Sequence, residues 1–265
     1  MKRYINVLLI AALTLGCLSV CAKAAMRICD TAGVIALNRS RNDDAMRASK
    51  EIVTHNLGEL RFHGIEAATA AKVTVRSADD PNRDVILRVN ENLAEHVELK
   101  VRDGILKIGF KNKRHTFKTL NAVTFEVSVP HCDGLSSLEA VAAAQIDVTS
   151  PLTAAKVKIE AAGAANISAT LDCAECEAEA TGASKIVLTG RCTKLEAEAA
   201  GASKINAAEC ECVNCAAEAV GASKVAVWCT GALSADAVGA SKVTYKGDCA
   251  TKLSSVGASS VKRVD

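Results

Sequence analysis

Gly182-Ala183-Ser184-Lys185-Ile186 returns as Gly201-Ala202-Ser203-Lys204-Ile205, Gly221-Ala222-Ser223-Lys224-Val225 and Gly239-Ala240-Ser241-Lys242-Val243. The same frame opens earlier at Gly163-Ala164-Ala165-Asn166-Ile167 and closes later at Gly257-Ala258-Ser259-Ser260-Val261. Successive glycines stand 19, 19, 20, 18 and 18 residues apart, and a degenerate copy, Ala142-Ala143-Ala144-Gln145-Ile146, precedes the first by 21. A near-constant period of this length is the signature of a stacked-repeat architecture.

Each repeat also alternates. Leu195-Glu196-Ala197-Glu198-Ala199 runs into Gly201, and Cys176-Glu177-Ala178-Glu179-Ala180 into Gly182. Apolar and acidic residues at period two put one set inward and the other in solvent, the pattern of a half-buried strand. A helix needs apolar residues three and four apart, and the glycine-small-polar punctuation breaks any such face. Units of 18–21 residues have room for two or three short strands and tight turns. Stacked, they make a parallel β-solenoid in which each coil buries its neighbour's backbone edge. Seven coils at the strand spacing rise roughly 35 Å. Gly163, Gly182, Gly201, Gly221, Gly239 and Gly257 are then structural turn residues, expected at φ > 0. The Ile or Val four residues on restarts an inward strand. A left-handed hexapeptide helix needs a branched aliphatic at every sixth position, which this register lacks. The variable coil length favours a right-handed winding.

Composition agrees. The chain has 265 residues, 49% of them hydrophobic but only 3% aromatic, and within 135–265 the aromatics are Trp228 and Tyr245 alone. A narrow interior takes Ala and Cys where Phe does not fit. The formal net charge of +2 supplies no field for nucleic acid, so no nucleic-acid partner is expected.

The rest of the chain divides as follows. Lys2 and Arg3, an apolar run from Ile5 to Val20 and Ala22-Lys23-Ala24 read as a secretory signal peptide over 1–24. Thr14 and Leu15 before Gly16-Cys17 fit a lipobox poorly, so no lipid anchor at Cys17 is expected, nor a transmembrane segment. Residues 25–51 are polar and read as a poorly ordered lead segment. An N-terminal β block of antiparallel type follows over 52–134, with strands at Lys72–Arg76, Val85–Val89, Val97–Val101, Ile105–Ile108 and Val123–Val129. Asp103-Gly104 marks a hairpin turn, and Pro130 ends the last strand. The solenoid occupies 135–265. The expected fold is therefore all-β, a block leading into a solenoid.

An exported chain with this block, its Val-x-Val-Pro strand and its reiterated glycine-alanine-small coils is similar to the auto-transporter adhesin, head GIN domain family of Bacteroidetes. The likeness covers about residues 52–261. Gly163 to Ile167 carries the Asn of the family's repeat, and four other coils carry Lys there. The resemblance implies an exported β-helical protein, periplasmic, on the outer-membrane surface or extracellular, and it raises surface binding as the function.

Three constellations bear on chemistry. Cys173 with Cys176 and Cys212 with Cys215 are C-x-x-C pairs, which read linearly form a zinc ribbon. The repeat places the pairs two coils apart, about 9.6 Å, with Cys192 and Leu195 between. One tetrahedral site does not span that gap, so no metal is expected and no cofactor. Small apolar filling is one reading of these cysteines. Disulfides are the other, since export permits them. The candidates are Cys173, Cys192, Cys229 and Cys249, the last two each four before a leucine taken as equivalent, Leu233 and Leu253. Other pairings, such as Cys192 with Cys212, stay open.

The second constellation is a possible binding stripe. Glu160, Glu179, Glu198, Glu218 and Asp236 stand three before their glycines, and Lys185, Lys204, Lys224 and Lys242 three after. A carboxylate row is suited to Ca²⁺, to the acid and base of a polysaccharide-cleaving β-helix, or to a solvated face eased by nearby lysines. The third is the histidines, His55, His63, His96, His115 and His131, which show no metal-ligand spacing and read as scattered surface residues. No nucleophile elbow or phosphate loop is present. The expected function is a non-enzymatic, adhesin-like scaffold engaging a glycan or protein surface ligand. The alternatives are a carbohydrate-active lyase or hydrolase and a self-assembling scaffold stacked end to end.

Overall fold

The structure is a computed structural model that describes residues 48–111 and 123–264. The signal peptide, Cys17, most of the lead segment and His115 lie outside the described residues. The solenoid is built from β8 (Ser137–Ala142), β9 (Gln145–Val148), β10 (Lys156–Gly163), β11 (Asn166–Gly182), β12 (Lys185–Gly201), β13 (Lys204–Gly221), β14 (Lys224–Gly239), β15 (Lys242–Lys246), β16 (Ala250–Gly257) and β17 (Ser260–Arg263), all parallel to their neighbours on the stack. Where short strands and turns are expected within each coil, β11 to β14 instead run unbroken for 16 to 18 residues from one corner to the next. Neighbouring coils keep most of the ladder through the bends, with register shifts between Val187 and Thr189, between Ala207 and Glu211 and between Cys212 and Asn214. In β12, Leu195, Ala197 and Ala199 are buried while Glu196 and Glu198 face out.

The corners explain the repeat. Gly163, Gly182, Gly201, Gly221, Gly239 and Gly257 are in register, with φ between +78° and +89°. A Cβ on Gly201 would stand 2.8 Å from the carbonyl oxygen of Gly182 in the coil before. Glycine is thus required twice, by its own dihedral and by the close approach of its neighbour. The next alanine seals the turn: Ala202 N donates to Gly182 O at 2.7 Å, and Ala183, Ala222 and Ala240 repeat this at the same distance. The serine after it is buried and donates its hydroxyl to the preceding coil. Ser184 Oγ reaches Ala161 O, Ser203 Oγ Ala180 O and Ser223 Oγ Ala199 O, each at 2.9 Å. Ser241 reaches Ala219 O at 2.8 Å. The lysine then turns outward, and Ile186, Ile205, Val225 or Val243 enters the core. Burial of each such aliphatic contributes about 1.5–3 kcal/mol.

The N-terminal strands are β1 (Ile52–Glu59), β2 (Gly64–Ala67), β3 (Lys72–Val75), β4 (Asp84–Asn90), β5 (Val97–Arg102), β6 (Ile105–Phe110) and β7 (Phe125–Val129). β1–β4, β4–β7 and β5–β6 pair antiparallel. Asp103 and Gly104 carry the two positive φ values that the hairpin turn requires. β2 and β3 behave differently. β2 lies parallel between β6 and β8, and β3 parallel between β7 and β9. Between them Thr69, at φ 67°, occupies the corner position, and Ala142, at φ 65°, the next. Ala143 N donates to Thr69 O at 2.7 Å and Ala164 N to Ala142 O at 2.6 Å. Thr69-Ala70-Ala71-Lys72 is thus a corner of the same kind, hidden in sequence because its glycine and serine are both replaced. The larger aromatics sit at this wider end, where the Phe110 and Phe125 rings lie 4.9 Å apart.

At the other end β16 is exposed throughout. Its register places Thr251, Leu253 and Ser255 opposite Leu233, Ala235 and Ala237. Leu253 is therefore not the equivalent of Leu233, and Cys249 is not a Cα partner of Cys229, although the two thiols lie close enough to interact. The coil is shorter by two residues than that equivalence needs, and Gly247 lies against the Cys229 backbone.

Two stability predictions follow from the corners. Gly201→Val is expected to cost about 3 kcal/mol or more, from left-handed strain and backbone clash, and Lys204→Ala within about 0.5 kcal/mol. Equal shifts in urea midpoint would place the turn elsewhere. Ala142→Gly is expected to stabilise by up to about 1 kcal/mol, because relieving left-handed strain outweighs the added backbone entropy. A loss in the same titration would count against strain at that corner.

Candidate functional site

The ladder carries any outward residue of the repeat into a column. Glu66, Glu139, Glu160, Glu179, Glu198, Glu218 and Asp236 are consecutive Cα partners. The sequence shows the last five; Glu66 and Glu139 escape it because the glycine used as reference is Thr69 or Ala142 in their coils. Carboxylates at the strand spacing of about 4.8 Å repel. Partial relief comes from lysines on the same face: Lys107 pairs with Glu66, Lys156 with Glu177, Lys158 with Glu160 at 2.6 Å and Lys194 with Glu196 at 2.7 Å. These are not the lysines that follow the glycines. Burial, then the charges of Glu218, Glu179, Glu196 and Glu177, hold the Glu198 carboxyl above its ordinary range. The groove that Glu160, Glu177, Glu179, Glu196 and Glu198 help to line has a volume of about 100 Å³, well short of the ~300 Å³ of a small-molecule pocket.

Lys185, Lys204, Lys224 and Lys242 form a second column, extended through Asn166 and Gln145 to Lys72. All four lysines are exposed, and none is in an ion pair among the described residues. Two residues further along each strand lie Asn206, Ala226 and Thr244, and then Trp228, with the Lys246 ammonium 4.4 Å from its ring centroid.

The cysteines fall into two columns as their spacing implies. Cys173, Cys192, Cys212 and Cys229 are successive partners, and so are Cys176, Leu195, Cys215 and Leu233. The C-x-x-C pairs lie two coils apart. The structure instead brings together Cys192, Cys210 and Cys212, all buried, with sulfurs within 4.8 Å of one another. That spacing is one a metal ion could bridge. Cys210 enters through the extra residue of the 20-residue coil: the register shifts between Val187 and Thr189, and Cys210 then faces Gly190. The irregular interval between Gly201 and Gly221 is the one sequence signal that marks it. Burial pushes the Cys173 thiol up to about 11 and lifts Cys176 further.

One histidine differs from expectation. His131 is buried rather than on the surface, in the segment after β7 where the Arg83 guanidinium donates to its carbonyl. It lies apart in sequence from both charge columns. Along the columns successive carboxylates repeat one setting, which works against the division into acid and base that glycoside cleavage needs.

Residues 61–249 match the family described as "Putative auto-transporter adhesin, head GIN domain". No curated protein sequence matches the chain. Among solved structures, a putative adhesin of Bacteroides fragilis is similar at 19% identity and a TM-score of 0.72, over 83% of this chain and 100% of that one. A Parabacteroides distasonis protein described as a "Putative lipid binding protein" gives 17% and 0.67 over 83% and 100%. A putative adhesin of Parabacteroides merdae gives 22% and 0.62 over 84% and 100%. At these identities the likeness is one of fold.

The raised Glu198 carboxyl has a consequence for stability. Between its unfolded and folded pKa the folded chain holds the proton more tightly, so stability falls as pH rises through that window. Glu198→Gln removes the penalty. The variant is expected to melt slightly above wild type at pH 7, with the gap closing below about pH 4. A gap that persists in acid would assign the gain to something other than charge.

Proposed function

The chain belongs to the auto-transporter adhesin, head GIN domain family, and from that premise we propose that it is an exported, non-enzymatic scaffold that binds a glycan or protein ligand along its charged face. The observation that carries the reading is the register of the two columns, which repeats one carboxylate and one ammonium around each of the four successive corners at Gly182, Gly201, Gly221 and Gly239. Such a surface offers many weak, equal contacts rather than one strong one, and their sum grows with length. The side chains that fill the interior are nearly inaccessible, from Ile186 and Leu188 to Ala235 and Val243, which favours the outer surface as the place for a ligand. The signal peptide read over 1–24 supports export to the periplasm, the outer-membrane surface or the exterior. No described helix is long and apolar enough to cross a membrane.

The test is binding of the chain to glycan and matrix-protein arrays, beside a polysaccharide-degradation screen. Glu179→Gln, Glu198→Gln and Glu218→Gln, and separately Lys185→Ala, Lys204→Ala and Lys224→Ala, are combined stepwise. Each step in the engaged column is expected to weaken binding about two- to five-fold, as for exposed charges, and added salt to weaken it throughout. Abrupt loss from Glu198→Gln alone, together with loss of a measurable cleavage, would replace this reading with the carbohydrate-active one.

A further inference from the structure

Seven cysteines lie on β11 to β14, far more than a binding face accounts for. We propose that Cys192 and Cys212 form a disulfide joining two successive coils, made by exchange with an external disulfide while the chain folds. The proposal goes beyond the binding reading and is independent of its ligand.

Register and side-chain direction select this pair. Cys192 and Cys212 are direct Cα partners on adjacent parallel strands. The strand spacing of about 4.8 Å lies within the Cα separation that a disulfide spans. Their sulfurs are 3.1 Å apart, both buried. The other neighbours in the column are also Cα partners, but no comparable sulfur contact joins them to Cys192 or Cys212, and Cys229 meets the Cys215 and Cys249 thiols instead. Cys173 Sγ faces Glu175 O at 3.4 Å, and Cys229 Sγ faces Val213 O at 3.4 Å. The choice of pair therefore comes from geometry that the cysteine spacing does not reveal.

Charge selects the bond over a metal ion. The trio with Cys210 has the proximity for a soft cation, but metal ligation needs thiolates. Three thiolates around a monovalent or divalent ion leave net negative charge in an interior of Ala, Leu and Ile, which is costly. Hydrogen bonds with Cys192 and then Cys215, followed by burial, already hold the Cys212 thiol far above its usual range. A disulfide is neutral and carries no such cost. Among the described residues three sulfurs lie within 4.8 Å of one another, and the Cys215 thiol, which also reaches Cys212, is not in that group.

The bond also has a structural use. The β12–β13 ladder is interrupted between Val187 and Thr189, and the β13–β14 ladder between Ala207 and Glu211 and again between Cys212 and Asn214. Cys192–Cys212 sits just after the first break and beside the others. A covalent link there fixes the register where hydrogen bonding leaves it weakest.

The exchange balances with a low-molecular-weight disulfide such as oxidised glutathione. The Cys212 thiolate attacks one glutathione sulfur and expels a glutathione thiolate, giving a mixed disulfide. The Cys192 thiolate then attacks the Cys212 sulfur and expels the second. The protein loses two electrons, and its two thiol protons end on two reduced glutathiones. Because the buried thiols resist ionisation, the steps precede closure of the coil. Cys210, 3.8 Å from Cys212 on the same strand, stays a thiol.

The test refolds the reduced full chain in a reduced and oxidised glutathione buffer, alkylates remaining thiols under denaturing conditions and maps linkages by mass spectrometry. A Cys192–Cys212 link is expected, kept in Cys210→Ser and lost in Cys192→Ala and Cys212→Ala. Protein purified without refolding, alkylated at once, provides the same readout if refolding fails. Reduction is expected to lower the thermal midpoint by about 5–10 °C more in wild type than in Cys212→Ala. Free thiols at both positions in folded, oxidised protein, a link from Cys210 instead, or one metal ion bound per chain by the reduced trio would each overturn the proposal. None of these outcomes alters the array assay, so the two readings fail separately.

Discussion

The close approach of successive backbones at the glycine corner governs the rest of the molecule. The carbonyl of one corner lies where a side chain of the next would begin, 2.8 to 2.9 Å from the Cβ position at Gly182, Gly201, Gly221, Gly239 and Gly257 alike. Left-handed backbone, the alanine N–H that bonds the previous glycine and the serine hydroxyl that bonds the previous alanine form one interlocking unit. Each coil presents the acceptor that the next coil needs. A corner that shifted by one residue would lose both bonds and turn the following Ile or Val outward.

The interior follows from that constraint. Coils of 18 to 20 residues enclose a narrow interior, so inward positions take Ala at 178, 180, 197, 199, 217 and 219, with Cys and Leu at others. Aromatic packing moves to the N-terminal end, where antiparallel strands widen the core around Phe62, Phe110 and Phe125. The outward positions are free of packing demands but not of register. That is why charge forms columns instead of a mixed surface, and why its electrostatic cost accumulates at Glu198, flanked by Glu179 and Glu218.

Most of this was legible in the chain itself. The glycine period and the alternation of Leu195 to Ala199 give the solenoid, its inward set and both charge columns as far as Glu160. Pro130 and Asp103-Gly104 mark where the block's strands stop and turn. What escaped did so for physical reasons. Thr69 fills a corner by tolerating a left-handed backbone, so the repeat is not seen there, and with it Glu66 and the parallel placement of β2 and β3 are missed; Ala142 shows as a degenerate copy, but Glu139 three residues before it does not join the stripe. The serine of the repeat carries no periodic signal of its own, and its buried bonds to the coil before show only in three dimensions. Cys249 follows a shortened coil and Cys210 a lengthened one. Counting from the nearest glycine misplaces the first and hides the meeting of the second with Cys192 and Cys212, because insertions act through three-dimensional register and not through interval.

The two ends of the stack differ in kind from its middle. β2 and β3 lie at one end beside antiparallel strands, and at the other β16 is exposed throughout, with Thr251, Leu253 and Ser255 where the coil before has Leu233, Ala235 and Ala237. Between them, each coil from β11 to β14 meets chiefly its immediate neighbours through the same corner bonds. Length is therefore a modular quantity. Duplicating or deleting one whole repeat leaves both terminations intact and changes only how many charges stand in a row. A lineage can thereby retune the reach of this face by copy number, without inventing a new contact.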